Sequence, residues 1–157
     1  AVLDVRAIAA HWRVSVLVMG TNDLARELHA SLGAAGRHPL VPHLATALLA
    51  AREAGVMILD GVYNDVKDLD GFRAECVQGF EMGFDGKTLI HPGQIEGANA
   101  AFAPSEQAVA DARGILEAWK AGAGSGVVTY NGRMVENLHV ESATRTLNIH
   151  EAIAALQ

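Results

Sequence analysis

From residue 13 to residue 19 the chain is almost continuously apolar, with Val14, Val16 and Val18 in the run, before it breaks at Gly20. A short run of this kind predicts a strand covered on both faces, the pattern of parallel sheets. Val56-Met-Ile-Leu-Asp60 repeats the pattern. Gly83-Phe-Asp-Gly-Lys-Thr-Leu-Ile90 supplies a third strand, stopped at His91-Pro92 because proline restricts the residue before it. Helical spacing fills the intervals. Residues 1–12 carry Val5, Ile8 and Ala9 on one face. A short helix after Gly20 to Asp23, capped by Thr21 or Asn22, carries Leu24, Leu28 and Leu32. Residues 40–53 set Leu40, Leu44, Ala47, Leu48 and Ala51 on one stripe and close at Gly55, and residues 69–82 are helical again. A strand, a polar turn and a helix, repeated, predict the α/β class with a parallel sheet, in which ligands sit at the carboxyl ends of the strands. Asp23, Asp60 and His91 all stand at such ends.

The grammar changes beyond residue 100. Ala103-Pro-Ser-Glu106 opens a helix with Val109, Ala112, Leu116 and Trp119 on its buried face, and Gly122-Ala-Gly-Ser-Gly126 is a flexible break. Val127 to Val135 predicts a hairpin turning at Asn131-Gly132, where a tight turn needs positive φ angles. Residues 138–156 predict a final helix or helix pair. The expected division is therefore residues 1–121 as an α/β part and residues 122–157 as an arm or lid.

Charge and composition narrow the function. Twelve Lys and Arg against 18 Asp and Glu leave a net charge of −6, which argues against a general phosphate-backbone binder, so no nucleic-acid partner is expected. No window approaches the roughly 18 consecutive apolar residues of a membrane span. The single cysteine, Cys76, has no intrachain disulfide partner, which suits a reducing, cytoplasmic setting. The start, Ala1-Val-Leu-Asp-Val-Arg6, lacks both an initiator Met and the build of a signal peptide, and is expected to lie inside a longer protein.

Several residues carry candidate chemistry. Asp23 either caps backbone N–H groups or ligates a hard cation, since Mg²⁺ is commonly held by one or two carboxylates with waters and substrate oxygens. Asp60 either orients a substrate or shapes a turn. Asp65, Asp68 and Asp70 read as solvated turn and cap residues. Lys87, near the end of its strand, is a weak Schiff-base candidate. His91 before Pro92 contacts a ligand or closes the turn. His11, His29, His38, His43, His139 and His150 show no His-x-x-x-His pairing for zinc, and no Gly-x-Gly-x-x-Gly, Walker loop or Gly-x-Ser-x-Gly elbow is present.

Taken together, Gly20-Thr-Asn-Asp-Leu-Ala25, Ile58-Leu-Asp-Gly-Val-Tyr-Asn-Asp65, Gly83-Phe-Asp-Gly-Lys-Thr-Leu-Ile-His-Pro-Gly-Gln-Ile95, Ala101-Phe-Ala-Pro-Ser-Glu106 and Asn131-Gly-Arg-Met-Val-Glu136 resemble the C-terminal half of the citrate lyase β-subunit-like CoA-ester lyases of the HpcH/HpaI aldolase superfamily. The resemblance implies the last three βα units of a (β/α)₈ barrel, strands six to eight, followed by a hairpin and helix arm. It implies Mg²⁺-dependent cleavage of a carbon–carbon bond in a hydroxyacyl-CoA of malyl, citramalyl or citryl type. On the match, Asp23 is the Mg²⁺ ligand. Asp60, Tyr63, Asn64, His91 and Pro92 lie near substrate and CoA. Glu136, where relatives often carry Asp, is the acid/base that the arm carries into a neighbouring subunit of a homo-oligomer. A whole barrel needs about 250 residues. The family's second metal ligand, a Glu on strand five, and its active-site arginine fall before residue 1. A non-catalytic remnant or interaction module is the rival reading, and a small flavodoxin-like or receiver-like domain ranks below it.

Overall fold

Three parallel strands, β1 (Val16–Val18), β2 (Met57–Asp60) and β3 (Gly86–Lys87), stand in the order β1-β2-β3 in the computed structural model, which describes residues 1–33, 36–122 and 126–156. The chain divides into two compact units, Ala1–Phe102 and Ala103–Gln157. In the first, the strands are linked by α2 (Thr21–Glu27) with α3 (Val41–Ala54), and by α4 (Leu69–Met82). A 3₁₀ turn and α1 (Val5–Ala9) precede the sheet, and α5 (Ile95–Phe102) follows it. The strand and helix alternation makes this unit α/β, as the apolar runs predict.

Register decides what each strand residue meets. Val16, Leu17 and Val18 pair with Met57, Ile58 and Leu59, and in a parallel ladder paired residues share a face. On one face Ile58, fully buried, joins Met19, Phe84 and the α3 stripe of Leu44, Ala47, Leu48 and Ala51 in the main core. On the other face Val16, Val18 and Met57 are 41%, 57% and 51% exposed. The expected two-sided burial therefore holds for one side only. Helices cover that side, and the described residues leave the other, equally apolar side open.

Helix ends follow local chemistry. α3 and α4 stop at Gly55 and Gly83, both at positive φ (69° and 103°), a backbone that side chains with a Cβ resist. α4 starts where Asp68 accepts a hydrogen bond from the Gly71 N–H at 2.9 Å. α2 departs from expectation. Its N-cap is Gly20, without a side-chain cap, and it stops at Glu27 with His29 at φ 52°. Leu28 and Leu32 consequently lie outside it and are exposed, while Leu24 packs on the core. The strands are shorter than the apolar runs, because ladder bonds form only where neighbours overlap in register.

The second unit holds α6 (Glu106–Ala121), the antiparallel hairpin β4 (Val128–Tyr130) and β5 (Arg133–Val135), and α7 (Asn137–Ala154), a single helix. α6 falls in this unit and packs on α7, burying Val109, Ala112 and Ala143. The hairpin turns at Asn131 and Gly132 with φ of 49° and 74°, as predicted. The Tyr130 ring lies so close over Gly114 that a Cβ there would meet it at 2.4 Å. Of the predicted flexible break, residues 123–125 lie outside the described residues. Among the described residues no helix is long and apolar enough to cross a membrane.

Candidate functional site

Asp23 sits in the first turn of α2, just past the end of β1, with its side chain 72% exposed. Its partner is Arg26, one turn on, whose Nη1 lies 3.1 Å from Oδ1. An exposed ion pair of this spacing holds its members weakly, by about 0.3–0.5 kcal/mol, so the carboxylate is open to a stronger ligand. Hard oxygen chemistry and access fit a Mg²⁺ held by one protein carboxylate plus water and substrate oxygens. Among the described residues no group of three or more His, Cys, Asp or Glu gathers into a complete metal site.

Asp60 has a different environment. It ends β2 fully buried, as register partner of Lys87 on β3. Its Oδ2 accepts from Lys87 Nζ at 3.0 Å, and its Oδ1 accepts from Arg37 Nη1 at 2.6 Å and from the Gly61 N–H at 2.7 Å. Lys87 also reaches Glu75 Oε1 at 2.7 Å, and Arg37 donates from Nε to Gln78 Oε1 at 2.7 Å. Two cations and two carboxylates cancel in a nearly dry setting. The Lys87 ammonium has no solvent exposure, so its environment is that of a paired charge.

The loop after β2 carries Tyr63 and Asn64. The Tyr63 hydroxyl donates to Asp68 Oδ2 at 2.6 Å, its ring meets Phe72 edge to face, and its carbonyl accepts from Gln94 Nε2 at 3.0 Å. The bond to Asp68, with partial burial, pushes the phenol up to about 12. Asn64 and Asn22 exchange two amide hydrogen bonds, at 3.0 and 2.7 Å, tying this loop to the turn that holds Asp23. Gln94, fully buried, also accepts from the Ile90 N–H at 3.2 Å. It thereby joins the loop after β2 to the segment after β3. There His91 accepts at Nδ1 from the Gly93 N–H at 3.0 Å, and Pro92 opens a 3₁₀ turn; both are exposed. With Nδ1 accepting, the neutral imidazole carries its proton on Nε2. A cavity of about 220 Å³ opens among Thr21, Asn22, Arg37, Tyr63, Asn64 and Glu75.

Glu136 belongs to the second unit, as N-cap residue of α7, partly buried. The His139 imidazole accepts at Nδ1 from the Glu136 N–H at 3.1 Å.

Of the residues singled out in the sequence, the first unit brings the Asp23 turn, Tyr63 and Asn64 to one end of the sheet, and buries Asp60 beneath them. Arg37, Glu75 and Gln94 were not anticipated, and Asn22, expected as a possible helix cap, instead pairs with Asn64. One signal was present for the buried cluster: Asp60 puts a charge at the end of an otherwise apolar strand run, and Lys87 puts the opposite charge into the third strand run. Arg37 and Glu75 carry no comparable signal, because a loop arginine and a helical glutamate are ordinarily solvated.

Comparison with known proteins bears on this arrangement. Residues 1–92 match the family model of HpcH/HpaI aldolase/citrate lyase. The chain is 50% identical over 157 residues to the (3S)-malyl-CoA thioesterase of Cereibacter sphaeroides, covering 99% of this chain and 55% of that protein. It is 36% identical over 138 residues to citrate lyase subunit beta of Escherichia coli, covering 87% of this chain and 45% of that one. The crystal structure of protein CitE from Mycobacterium tuberculosis with magnesium, acetoacetate and coenzyme A superposes with a TM-score of 0.79 at 30% identity, over 94% of this chain and 56% of that one. The chain thus spans about half the length of the curated relatives it matches. On the family match and on relatives that align along nearly its whole length, the chain belongs to the HpcH/HpaI aldolase/citrate lyase family.

Proposed function

We propose that this chain is the C-terminal half of a Mg²⁺-dependent enzyme acting on a malyl-type hydroxyacyl-CoA thioester. The observation that carries the reading is 50% identity, over 99% of the chain, to a malyl-CoA thioesterase. The three βα units are then the last three of an eight-stranded barrel. The open apolar face of Val16, Val18 and Met57 supports this, since in a barrel that face turns inward onto layers of neighbouring side chains.

Asp23 would hold the metal with one carboxylate, and Mg²⁺ supplies positive charge that polarises the substrate's oxygens. Around it, the Asn22–Asn64 amide pair holds the two strand-end loops at a set distance. Tyr63 and Asn64 line the cavity, and His91 offers an Nε2 proton to a substrate or CoA oxygen. Glu136, carried by the arm of a neighbouring subunit in a homo-oligomer, gives or takes the proton at the thioester side.

Two bond cleavages suit such a site. Hydrolysis adds water across the carbon–sulfur bond, giving the hydroxy acid and the free thiol; the 50% identical relative favours it. Lysis breaks the carbon–carbon bond beside the hydroxyl, giving an oxo acid and an acyl-CoA whose α carbon takes the proton. The motif resemblance and the citrate lyase relative favour that course.

The products decide. With the full-length protein, Mg²⁺ and malyl-CoA, release of free thiol without oxo acid marks hydrolysis, and oxo acid without free thiol marks lysis. Asp23→Asn is expected to abolish either reaction and the Mg²⁺ dependence with it. Folded protein that releases neither product establishes the remnant reading instead.

A further inference from the structure

We propose that Arg37 is a positioning residue: with Asp60, Lys87 and Glu75 it forms a buried, charge-balanced clamp that sets the loop bearing Tyr63 and Asn64. The inference rests on the reading of that loop as part of the substrate site.

Four separate elements meet at this clamp. Arg37 comes from the segment between α2 and α3, Asp60 from the end of β2, Lys87 from β3, and Glu75 from α4, which also supplies Gln78. Arg37 is 4% exposed, and its guanidinium spends all three nitrogens on the protein: Nε on Gln78, Nη1 on Asp60 and Nη2 on the Glu75 carbonyl at 3.4 Å. A planar fork of donors suits three such acceptors in fixed directions, which a lysine ammonium does not reproduce.

The clamp acts on backbone as well as on charge. The Asp60 oxygen that faces Arg37 also accepts from the Gly61 N–H, the first peptide of the loop, at 2.7 Å. The Asp60 carbonyl takes both the Thr88 N–H and the Thr88 hydroxyl, each at 3.0 Å, and thereby holds the segment after β3. Gln94 closes the circuit by joining Tyr63 to Ile90. The loop therefore leaves the sheet in a direction set by the Asp60 carboxylate and the segment after β3 in one set by the Asp60 carbonyl, and Arg37 and Lys87 hold that carboxylate.

Energetics favour positioning over stability as the clamp's main service. Replacing a buried ion cluster by well-packed apolar residues is often neutral or stabilising, because desolvation offsets the attraction. What an apolar core does not offer is direction. Gly79 of α4 carries the same constraint from the helix side, since a Cβ there would come within 2.9 Å of Asp60 Oδ2.

The test is hydrogen–deuterium exchange on the full-length protein without ligand, followed by kinetics on the active thioester. In Arg37→Met, exchange of the amides at 61–65 is expected to rise about tenfold or more above any rise in the α3 core stripe, which follows the global stability lost on uncovering a buried carboxylate. Arg37→Lys, which retains the charge but not the fork, is expected to fall between the two. In kinetics KM is expected to rise about tenfold with kcat changed less than about threefold, the mark of lost substrate positioning. A rise in exchange spread evenly over α3 and the loop, or no rise at all, overturns the proposal. So does a fall in kcat at unchanged KM. If Arg37→Met does not fold, the local or global pattern in Arg37→Lys decides. A wild-type protein without thioester activity defeats the functional reading, and exchange still decides whether Arg37 positions the loop.

Discussion

Asp60 and Lys87 are partners twice over, as backbone neighbours in the β2–β3 register and as a fully buried ion pair 3.0 Å apart. Neither charge meets solvent, so each depends for compensation on the cluster that they form with Arg37 and Glu75. Lys87→Met leaves Asp60 facing Arg37 alone, and is expected to cost about 3–5 kcal/mol of unfolding free energy, the usual loss when one member of a buried pair is removed. Urea denaturation of the full-length protein measures it. A loss no larger than that of a surface substitution would mean that the pair is wet and mobile.

Gly61 follows Asp60 where the chain passes closest to the Asp23 turn. A Cβ built on it stands 2.3 Å from Thr21 Oγ1 and 2.8 Å from the Met19 carbonyl oxygen. Thr21 Cγ2 lies at 2.5 Å as well, so turning the hydroxyl away brings no relief, and the Met19 backbone is held by its N–H on the Leu59 carbonyl at 3.0 Å. Gly61→Ala is expected to destabilise by about 1–3 kcal/mol through overpacking. Gly33→Ala, with nothing within 4 Å of its Cβ, is the control and is expected to change stability by less than about 0.5 kcal/mol. Equal melting temperatures for the two would refute the close approach.

Tyr63 and Asp68 share a short hydrogen bond that moves both groups. The phenol bond first, then the Gly71 N–H, hold the Asp68 carboxyl below the ordinary range. That contribution to stability is complete above the unfolded carboxylate pKa and is lost as pH falls through the lowered folded value. The Tyr63 phenol, raised to about 12, contributes below the ordinary tyrosine value of 10.0 and loses its contribution as pH climbs from there toward 12. Absorbance titration should show one phenol ionising near 12 in the wild type and shifting back toward the ordinary range in Asp68→Asn. An unmoved titration would break the assignment.

Cys76 lies on the inner face of α4, fully buried with Phe72 and Ala98, and burial pushes its thiol up. A thiol without access or thiolate character does not attack disulfides. A chromogenic disulfide reagent is therefore expected to leave Cys76 unmodified in the native protein and to modify it after unfolding, as peptide mapping reads. Rapid reaction in native buffer would place Cys76 at the surface.

Much of this was legible in the chain itself. The stripe from Leu40 to Ala51 repeats at three and four residues, and every member is buried, Leu40 in the 3₁₀ turn just before α3 and the others on one face of that helix. The span of α4, the glycine that ends α3, and the hairpin turn at Asn131 and Gly132 all followed from local rules of periodicity and positive φ, whereas Gly83, read as the start of a strand, caps α4. So did the placement of Asp23 past the end of a strand, because an apolar run, a glycine and a polar helix start are contiguous in sequence.

What escaped were relationships across distance. α2 stops early because the chain turns at His29, and α5 was not foreseen as a separate helix. Arg37 and Glu75 lie in segments whose local pattern says solvent, and Arg37 is buried and Glu75 partly buried only because β2 and β3 bring Asp60 and Lys87 to the same place. The pairing of Asn22 with Asn64 likewise joins residues 42 positions apart. The sequence by itself determined most of the elements, their order and the residues at the strand ends, since propensity and period act over a few neighbours. Only the tertiary structure decided which of those residues are exposed to a ligand and which are locked in the interior, because desolvation and charge pairing depend on what the fold brings alongside.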